Sequence, residues 1–331
     1  MIRIGLLGAG RIGRTHARAV AALPDSEIAV VFDPDDDAAA QVQSFTGGRI
    51  ASVDDILADP EIDAVIIATP TDCHADQIEQ AARAGKAIFC EKPIDLDVGR
   101  VRDCLKIVEE TNARLMVGFN RRFDPNFAEL KRRIVSGAIG ELEMVQIVSR
   151  DPAPPPIHYV RRSGGLFRDM MIHDFDMARF LLDEDPVEVS AFGSVLVDPA
   201  IGTEDDVDSA AATLVTASGR IVQISNSRRA VYGYDQRVEV HGSGGLVSAG
   251  NVKASTVTLA DAAGIRADPP LDFFMERYAE AYHAELAAFA AGLKGDVPLR
   301  PDGQDGLKAL LIADAADRSR RTGQAVRVAY D

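Results

Sequence analysis

Three groups of residues in this chain are of types and spacings that could do chemistry. The first is Gly8-Ala9-Gly10-Arg11-Ile12-Gly13, a glycine turn between the apolar run 2–7 and the helix-forming residues 16–20. Such a turn suits a dinucleotide pyrophosphate. Its first glycine permits the tight bend, its second lets the ligand approach the backbone, and its third lets helix and strand pack closely. Free N–H groups at the helix start then face the phosphates. Asp33 ends the next apolar run, 28–32, where a carboxylate can accept hydrogen bonds from both ribose hydroxyls of an adenosine. Asp35, Asp36 and Asp37 follow with no Lys or Arg beside them, so a 2′-phosphate is repelled and NAD is expected rather than NADP.

The second group is Ile88-Phe89-Cys90-Glu91-Lys92-Pro93, where an apolar strand ends in a lysine. Strand ends are where doubly wound sheets place ligand groups, and a half-buried Lys there can polarise a hydroxyl. Taken alone, Glu91-Lys92 is more often a solvated loop pair. The third is Asp169-Met170-Met171-Ile172-His173, continuing to Asp176. On a regular helix Asp169, His173 and Asp176 share a face, and a carboxylate one turn before a histidine can orient the imidazole as a general base. Taken alone, such a segment is more often an ordinary helix N-terminal Asp and a surface His. Met171, Phe175, Ala178 and Leu182 form the inward stripe of the same helix.

These groups need a frame. From 1 to about 120, strands expected at 2–7, 28–32, 64–68, 87–90 and 115–118 alternate with helices at 12–23, 35–44, 74–84 and 97–112. Continuous apolar runs joined by helices mark a parallel sheet buried on both faces, here an α/β, doubly wound Rossmann sheet. After residue 121 a helix at 125–136 precedes strands at 141–149, 187–197, 207–217, 219–227, 234–242 and 254–260. Short turns such as Ala217-Ser218-Gly219-Arg220 between them predict an α+β half with a large, mainly antiparallel sheet. Helices at 170–182, 273–293 and 303–322 are expected to pack on it. The domains are therefore placed at 1–121, for NAD, and 122–331, for substrate and oligomerisation.

Composition narrows the function. The 331 residues are 47% hydrophobic, enough for a substantial core. A formal charge of −15 argues against nucleic acid or an anionic membrane as partner. No run approaches 18 apolar residues and the chain opens on a strand, so a cytoplasmic protein is expected. Cys73, Cys90 and Cys104 offer no CxxC and read as reduced thiols. The six histidines are dispersed, and no metal is expected.

Glu91-Lys92-Pro93 after a nucleotide-binding half, followed by an Asp-x-x-x-His segment in an α+β half, resembles the glucose–fructose oxidoreductase, inositol dehydrogenase and rhizopine-catabolism (Gfo/Idh/MocA) family. Ala68-Thr69-Pro70-Thr71 with His74, and Gly118-Phe119-Asn120-Arg121-Arg122-Phe123-Asp124, are family-like too. Within that family, 168–176, 193–198, 226–235 and 302–310 are most similar to the bacterial myo-inositol 2-dehydrogenases. The resemblance implies NAD-dependent oxidation of a secondary hydroxyl of inositol, from myo-inositol to 2-keto-myo-inositol in inositol catabolism. Scyllo- or chiro-inositol, or a cyclic sugar such as glucose, are the alternatives. A non-catalytic NAD-binding sensor would need no general base. Lys92, Asp169 and His173 are the implied catalytic set. Arg122 and Tyr232 are implied polyol contacts, with Asp176 a further possibility. Ala68, Thr69, Pro70, His74, Glu91 and Lys92 join Gly8 to Gly13 and Asp33 as implied cofactor residues. The role of the loop from Asp151 to His158 is left open.

Two further expectations concern the Lys92–Pro93 bond, a candidate for the cis form, and assembly. With one sheet face covered by helices 125–136 and 273–293, Val189, Ala191, Val195, Val197, Leu214, Val222 and Ile224 are expected on a bare face that pairs subunits into a homotetramer.

Overall fold

The computed structural model describes residues 1–295 and 298–330. In chain order it begins with β1 (Ile2–Leu7), α1 (Arg11–Ala21), β2 (Ser26–Phe32), α2 (Asp36–Thr46), β3 (Arg49–Ile50) and α3 (Val53–Ala58). There follow β4 (Ala64–Ile67), α4 (Thr71–Arg83), β5 (Ala87–Glu91), α5 (Val98–Glu110), β6 (Leu115–Gly118) and α6 (Pro125–Val135). The middle of the chain holds β7 (Leu142–Arg150), α7 (Ile157–Ser163), α8 (Gly165–Asp169), α9 (Ile172–Leu182), β8 (Pro186–Ser194) and α10 (Pro199–Gly202). Next come β9 (Ser209–Thr216), β10 (Ile221–Ser227), β11 (Asp235–Gly242), β12 (Gly245–Ala249) and the hairpin β13 (Thr258–Asp261) and β14 (Gly264–Ala267). The chain ends with α11 (Phe274–Arg277), α12 (Ala279–Lys294), α13 (Gly303–Thr322) and β15 (Val326–Arg327).

Two compact units result: 1–123 with 280–310, and 124–279 with 311 onward. The first crossing lies two residues from the expected division at 121/122. The return of 280–310 to the first unit had no counterpart in the sequence reading.

In the first unit the sheet runs β3-β2-β1-β4-β5-β6, every described pairing parallel. The order reverses at β1/β4, the switch point at which such sheets bind ligands. Its strands are apolar on both faces, and Ile4, Leu6, Ala64, Ile66, Phe89 and Met116 share one core with Leu286, Phe289 and Ala290 of α12. Helix 273–293 was expected on the antiparallel sheet; most of it instead buries its apolar stripe here.

The second unit carries a mixed sheet, β12-β11-β7-β10-β9-β8-β15, in which β7 and β10 are parallel and the other pairings antiparallel. Alternation decides its faces. Val145, Ile147, Val189, Ala191, Leu214, Val222 and Ile224 are all buried, on the side to which Asp174 of α9 is bonded. Five residues expected on a bare face therefore belong to the unit's own core; Val195 and Val197 lie beyond the end of β8. The outward positions carry Met144, Gln146, Phe192, Gln223, Glu239, His241 and Leu246, a mixed surface on which Phe192 is 69% exposed. No described helix is long and apolar enough to cross a membrane. Cys90 and Cys104 are buried, Cys73 partly so, and burial pushes the Cys104 thiol up to about 12.

Candidate active site

The glycine turn is built as its spacing predicts. Gly8 adopts φ +96°, where a Cβ would lie 2.6 Å from the Ala68 carbonyl oxygen, and a Cβ on Gly13 would meet the Gly8 carbonyl at 1.9 Å. Only glycine lets α1 start this close to the strand end. Gly10 differs: no protein atom lies within 4 Å of where its Cβ would be, and α1 begins there without a side-chain cap. Open space over a glycine beside uncapped N–H groups is what a pyrophosphate fills, so these residues fit a dinucleotide. Asp33 accepts the N–H of Ala9 at 2.6 Å and of Asp35 at 2.9 Å, which fixes its carboxylate beside the turn. Asp35 caps α2 through the N–H groups of Asp37 and Ala38, and Asp36 and Asp37 are exposed in its first turn.

After β4, Ala68, Thr69 and Pro70 lead into α4, and the Thr69 hydroxyl donates to Gln77 Oε1 at 2.7 Å. His74 is buried with Nδ1 2.8 Å from the Pro93 carbonyl and Nε2 2.8 Å from that of Thr69. Its ring thus ties two loops together. The Lys92–Pro93 bond is cis, as expected. Lys92 is half-buried at the end of β5, and its N–H donates to Glu91 Oε2 at 3.3 Å. The other oxygen, Oε1, lies 2.7 Å from Nε2 of the buried His16. Glu285 of α12 completes this cluster, with one ligand-type atom from each of the three side chains within 4.8 Å of the others. Both Glu285 carboxyl oxygens lack a hydrogen-bond partner, and burial, then the Glu91 charge, push its pKa well above the usual carboxyl range. The 2.7 Å contact is hydrogen-bond length, shorter than the gap between two ligands on one zinc ion. Arg122 pairs with Asp305 at 3.2 Å.

In the second unit Asp169 closes α8 and His173 is the second residue of α9. The expected single helix is therefore two. Gly164 and Gly165, both at φ +81°, open the short α8, and the Leu166 carbonyl accepts the N–H groups of both Met170 and Met171, which breaks the regular ladder. Asp169 and His173 thus stand on successive short helices rather than on one regular helix. Asp176 is itself buried, 4.0 Å from Arg179 Nη1. The inward stripe of Met171, Phe175, Ala178 and Leu182 is buried as expected. Asp174 pins α9 to the sheet, accepting Ser149 Oγ at 2.6 Å and Asn226 Nδ2 at 2.8 Å.

Asp169 accepts the Tyr159 hydroxyl on Oδ1 at 2.8 Å, and its Oδ2 lies 3.7 Å from Arg228 Nη2. Burial, then the Asp169 charge, push the Tyr159 pKa up, so the phenol stays a donor. Tyr232 donates to Asp235 Oδ2 at 2.6 Å and accepts from Arg150 at 3.1 Å. Burial alone would raise the Asp235 carboxyl; hydrogen bonds from Arg237, Tyr232 and Asn251 hold it below the usual range. His158 is exposed in the first turn of α7.

Residues 2–119 match the oxidoreductase family with an NAD-binding Rossmann fold, and 127–248 match the GFO/IDH/MocA C-terminal domain. The chain belongs to the Gfo/Idh/MocA family. It is 56% identical over 96% of its length to an inositol 2-dehydrogenase of Rhizobium meliloti, of which 96% is covered. Among solved structures it is similar to a myo-inositol dehydrogenase of Corynebacterium glutamicum, with TM-score 0.96, 44% identity and 99% of each chain covered. A scyllo-inositol dehydrogenase of Lactobacillus casei, solved with NAD(H) and scyllo-inositol, gives TM-score 0.92 at 28% identity over 99% of each chain.

Five residues around the Gfo/Idh/MocA-type positions escaped the sequence reading: His16, Tyr159, Asp206, Arg228 and Glu285. Glu285 had a signal, a lone carboxyl between Ala281, Tyr282, Leu286 and Phe289 on an apolar helix stripe. Arg228 lies inside the family-like stretch 226–235, where nothing in sequence connects it to Asp169.

Proposed function

We propose that this chain is an NAD-dependent inositol 2-dehydrogenase that converts myo-inositol to 2-keto-myo-inositol in inositol catabolism. The observation that carries the reading is the 56% identity, along nearly the whole of both chains, to a relative of that activity. In this reading the first unit holds the cofactor and the second the polyol. Asp33 takes the adenosine ribose, and the Gly8–Gly13 turn the pyrophosphate. Ala68, Thr69, Pro70, His74, Glu91 and Lys92 shape the remainder of the cofactor site. Bound NAD supplies the hydride acceptor.

An alcohol does not lose its proton unaided as hydride leaves its carbon. His173 takes that proton as general base, a role that typically contributes 10²–10⁴-fold. Asp169 orients the imidazole and stabilises its charged form. Lys92 donates to the reacting oxygen and offsets developing alkoxide charge. Arg122 and Tyr232 recognise further hydroxyls of the uncharged ring, where forked and paired polar groups suit a polyol. NADH formation from myo-, scyllo- and chiro-inositol and from glucose tests the reading, with myo-inositol expected as the best substrate. No NADH from any inositol, or a His173→Ala variant with undiminished kcat, would overturn it. The Lactobacillus casei structure favours scyllo-inositol as the second candidate substrate.

The same reading makes the protein a cytoplasmic homotetramer. The half-apolar outer sheet surface around Met144, Phe192 and Leu246 supports the assembly, and the free thiols support the location. Light scattering at micromolar concentration should give about four times the 35.5 kDa chain mass; a monomer would refute the assembly.

A further inference from the structure

Arg228 is 1% exposed, the largest of the fully buried side chains. Burying a guanidinium is costly unless carboxylates answer it. Two do. Its Nη2 lies 3.7 Å from Asp169 Oδ2 and 3.6 Å from Asp206 Oδ2. The backbone fixes the residue between them, since the Arg228 N–H donates to the Asp208 carbonyl at 2.8 Å. Asp206 is committed elsewhere by its other oxygen, which accepts the Leu166 N–H at 2.9 Å and so anchors the start of α8, the helix that ends in Asp169. Arg228 Nε and Nη2 make no hydrogen bond, and neither does Asp206 Oδ2. One cation therefore stands between two carboxylates at ion-pair distance, with donors to spare.

We infer that Arg228 is a positioning residue for the reaction: shared between Asp206 and Asp169, it holds the Asp169 carboxylate from the Oδ2 side while the Tyr159 hydroxyl holds Oδ1. The inference rests on the proposed dehydrogenase function, in which Asp169 orients His173. Asp206 keeps the guanidinium from closing fully on Asp169, and through Leu166 it sets the helix that presents that carboxylate. Arg228 touches neither substrate nor cofactor in this role; it acts through Asp169.

A purely structural arginine and a positioning one differ in what they change. Arg228→Met keeps the apolar stem and removes the charge. In folded protein, checked by circular dichroism, it is expected to lower kcat about tenfold to a hundredfold, with KM for myo-inositol and NADH affinity within about threefold. Arg228→Lys restores the cation without the fork and should recover part of the loss. Tyr159→Phe should cost less, about threefold to tenfold. In an Asp169→Asn background, Arg228→Met should cost little more, because the group it positions has lost its charge. Unchanged kcat in folded Arg228→Met, a loss confined to KM, or fully additive losses would each overturn the inference.

If Arg228→Met does not fold, Arg228→Lys with Asp206→Asn makes the same comparison. If the wild-type protein oxidises no inositol, the functional reading fails, and the cycle is then read in urea unfolding. Non-additivity of about tenfold in the unfolding constant supports the Arg228–Asp169 coupling there, and additivity refutes it.

Discussion

In the second unit the buried carboxylates of Asp124 and Asp208 are met by a cation or by backbone N–H groups, whereas in the first unit Glu285 is met by neither. Asp124 caps α6 and is gripped by Arg277, with Nη2 3.2 Å from Oδ1 and both side chains buried. Asp208 accepts the N–H groups of Leu196, Val197 and Asp198 at 2.8 to 2.9 Å. Burial alone would raise the Asp208 carboxyl, but these bonds and that from Ser209 hold it below the usual range. Glu285 is equally hidden and faces Glu91 and His16, with its pKa driven up. The difference teaches that burial does not set a carboxyl's charge by itself; the donors folded around it do. It also gives Glu285 and Asp208 opposite responses to pH.

The largest test of that contrast is Arg277→Met. Removing one partner of a buried pair leaves an uncompensated charge, so the second unit should lose about 3–5 kcal/mol. Differential urea unfolding, followed by exchange of 124–279 against 1–110, should show the loss in the former. A change below about 1 kcal/mol would show that the Arg277 pair contributes little to the second unit, and the contrast would weaken.

Glu285→Gln is next, with the opposite sign. In the folded protein Glu285 keeps its proton to higher pH than in the unfolded chain. Below the unfolded pKa of about 4.3 both states are protonated and the group contributes no slope. Above it the unfolded chain releases the proton and stability falls by about 1.4 kcal/mol per pH unit until the folded pKa is reached. Gln has no such penalty, so Glu285→Gln should melt above wild type at pH 8 and approach it at pH 4.5. Equal melting temperatures at pH 8 would show that Glu285 is ionised and paired.

Asp208 and Asp235 complete the comparison from the acid side. Their folded pKa values are depressed, so their contribution is present above the ordinary Asp pKa and lost as pH falls through the folded value. On acidification, amide exchange should rise first in 196–209 and 235–251 while the parallel sheet stays protected; the reverse order would break the comparison.

Most of this frame could be read from the chain because it rests on local signals. β1 and β6 end where their apolar runs end, and the Gly219 turn between β9 and β10 is a dipeptide-scale feature. What failed was non-local. The stripe of α12 fits either sheet by periodicity, and only the chain's return decides which. Asp169 and His173 stand at helical spacing, yet two glycines upstream start a separate helix. The sheet residues assigned to a bare face alternate correctly, but alternation cannot say which side the helices cover. His16 and Glu285 lie near Glu91, and Arg228 near Asp169, across long stretches of chain, where sequence order carries no information; Tyr159 is ten residues from Asp169, but the turn at Gly164 lies between them.

Asp33 supplies the smallest effect and a carboxylate of the second unit's kind inside the first. It accepts two backbone N–H groups, Ala9 and Asp35, and keeps acceptor capacity on both oxygens. Those bonds fix it where a ribose hydroxyl pair would be read, and a 2′-phosphate there would face its charge and those of Asp36 and Asp37. Asp33→Ser with Asp35→Arg should therefore shift the ratio of kcat/KM for NAD over NADP by about tenfold or more toward NADP, about 1.4 kcal/mol per factor of ten. The double change also removes the Ala9 tether and the α2 cap, so activity with NAD should fall more than activity with NADP rises. An unmodified enzyme that uses both cofactors equally would show that Asp33 serves only to hold the turn.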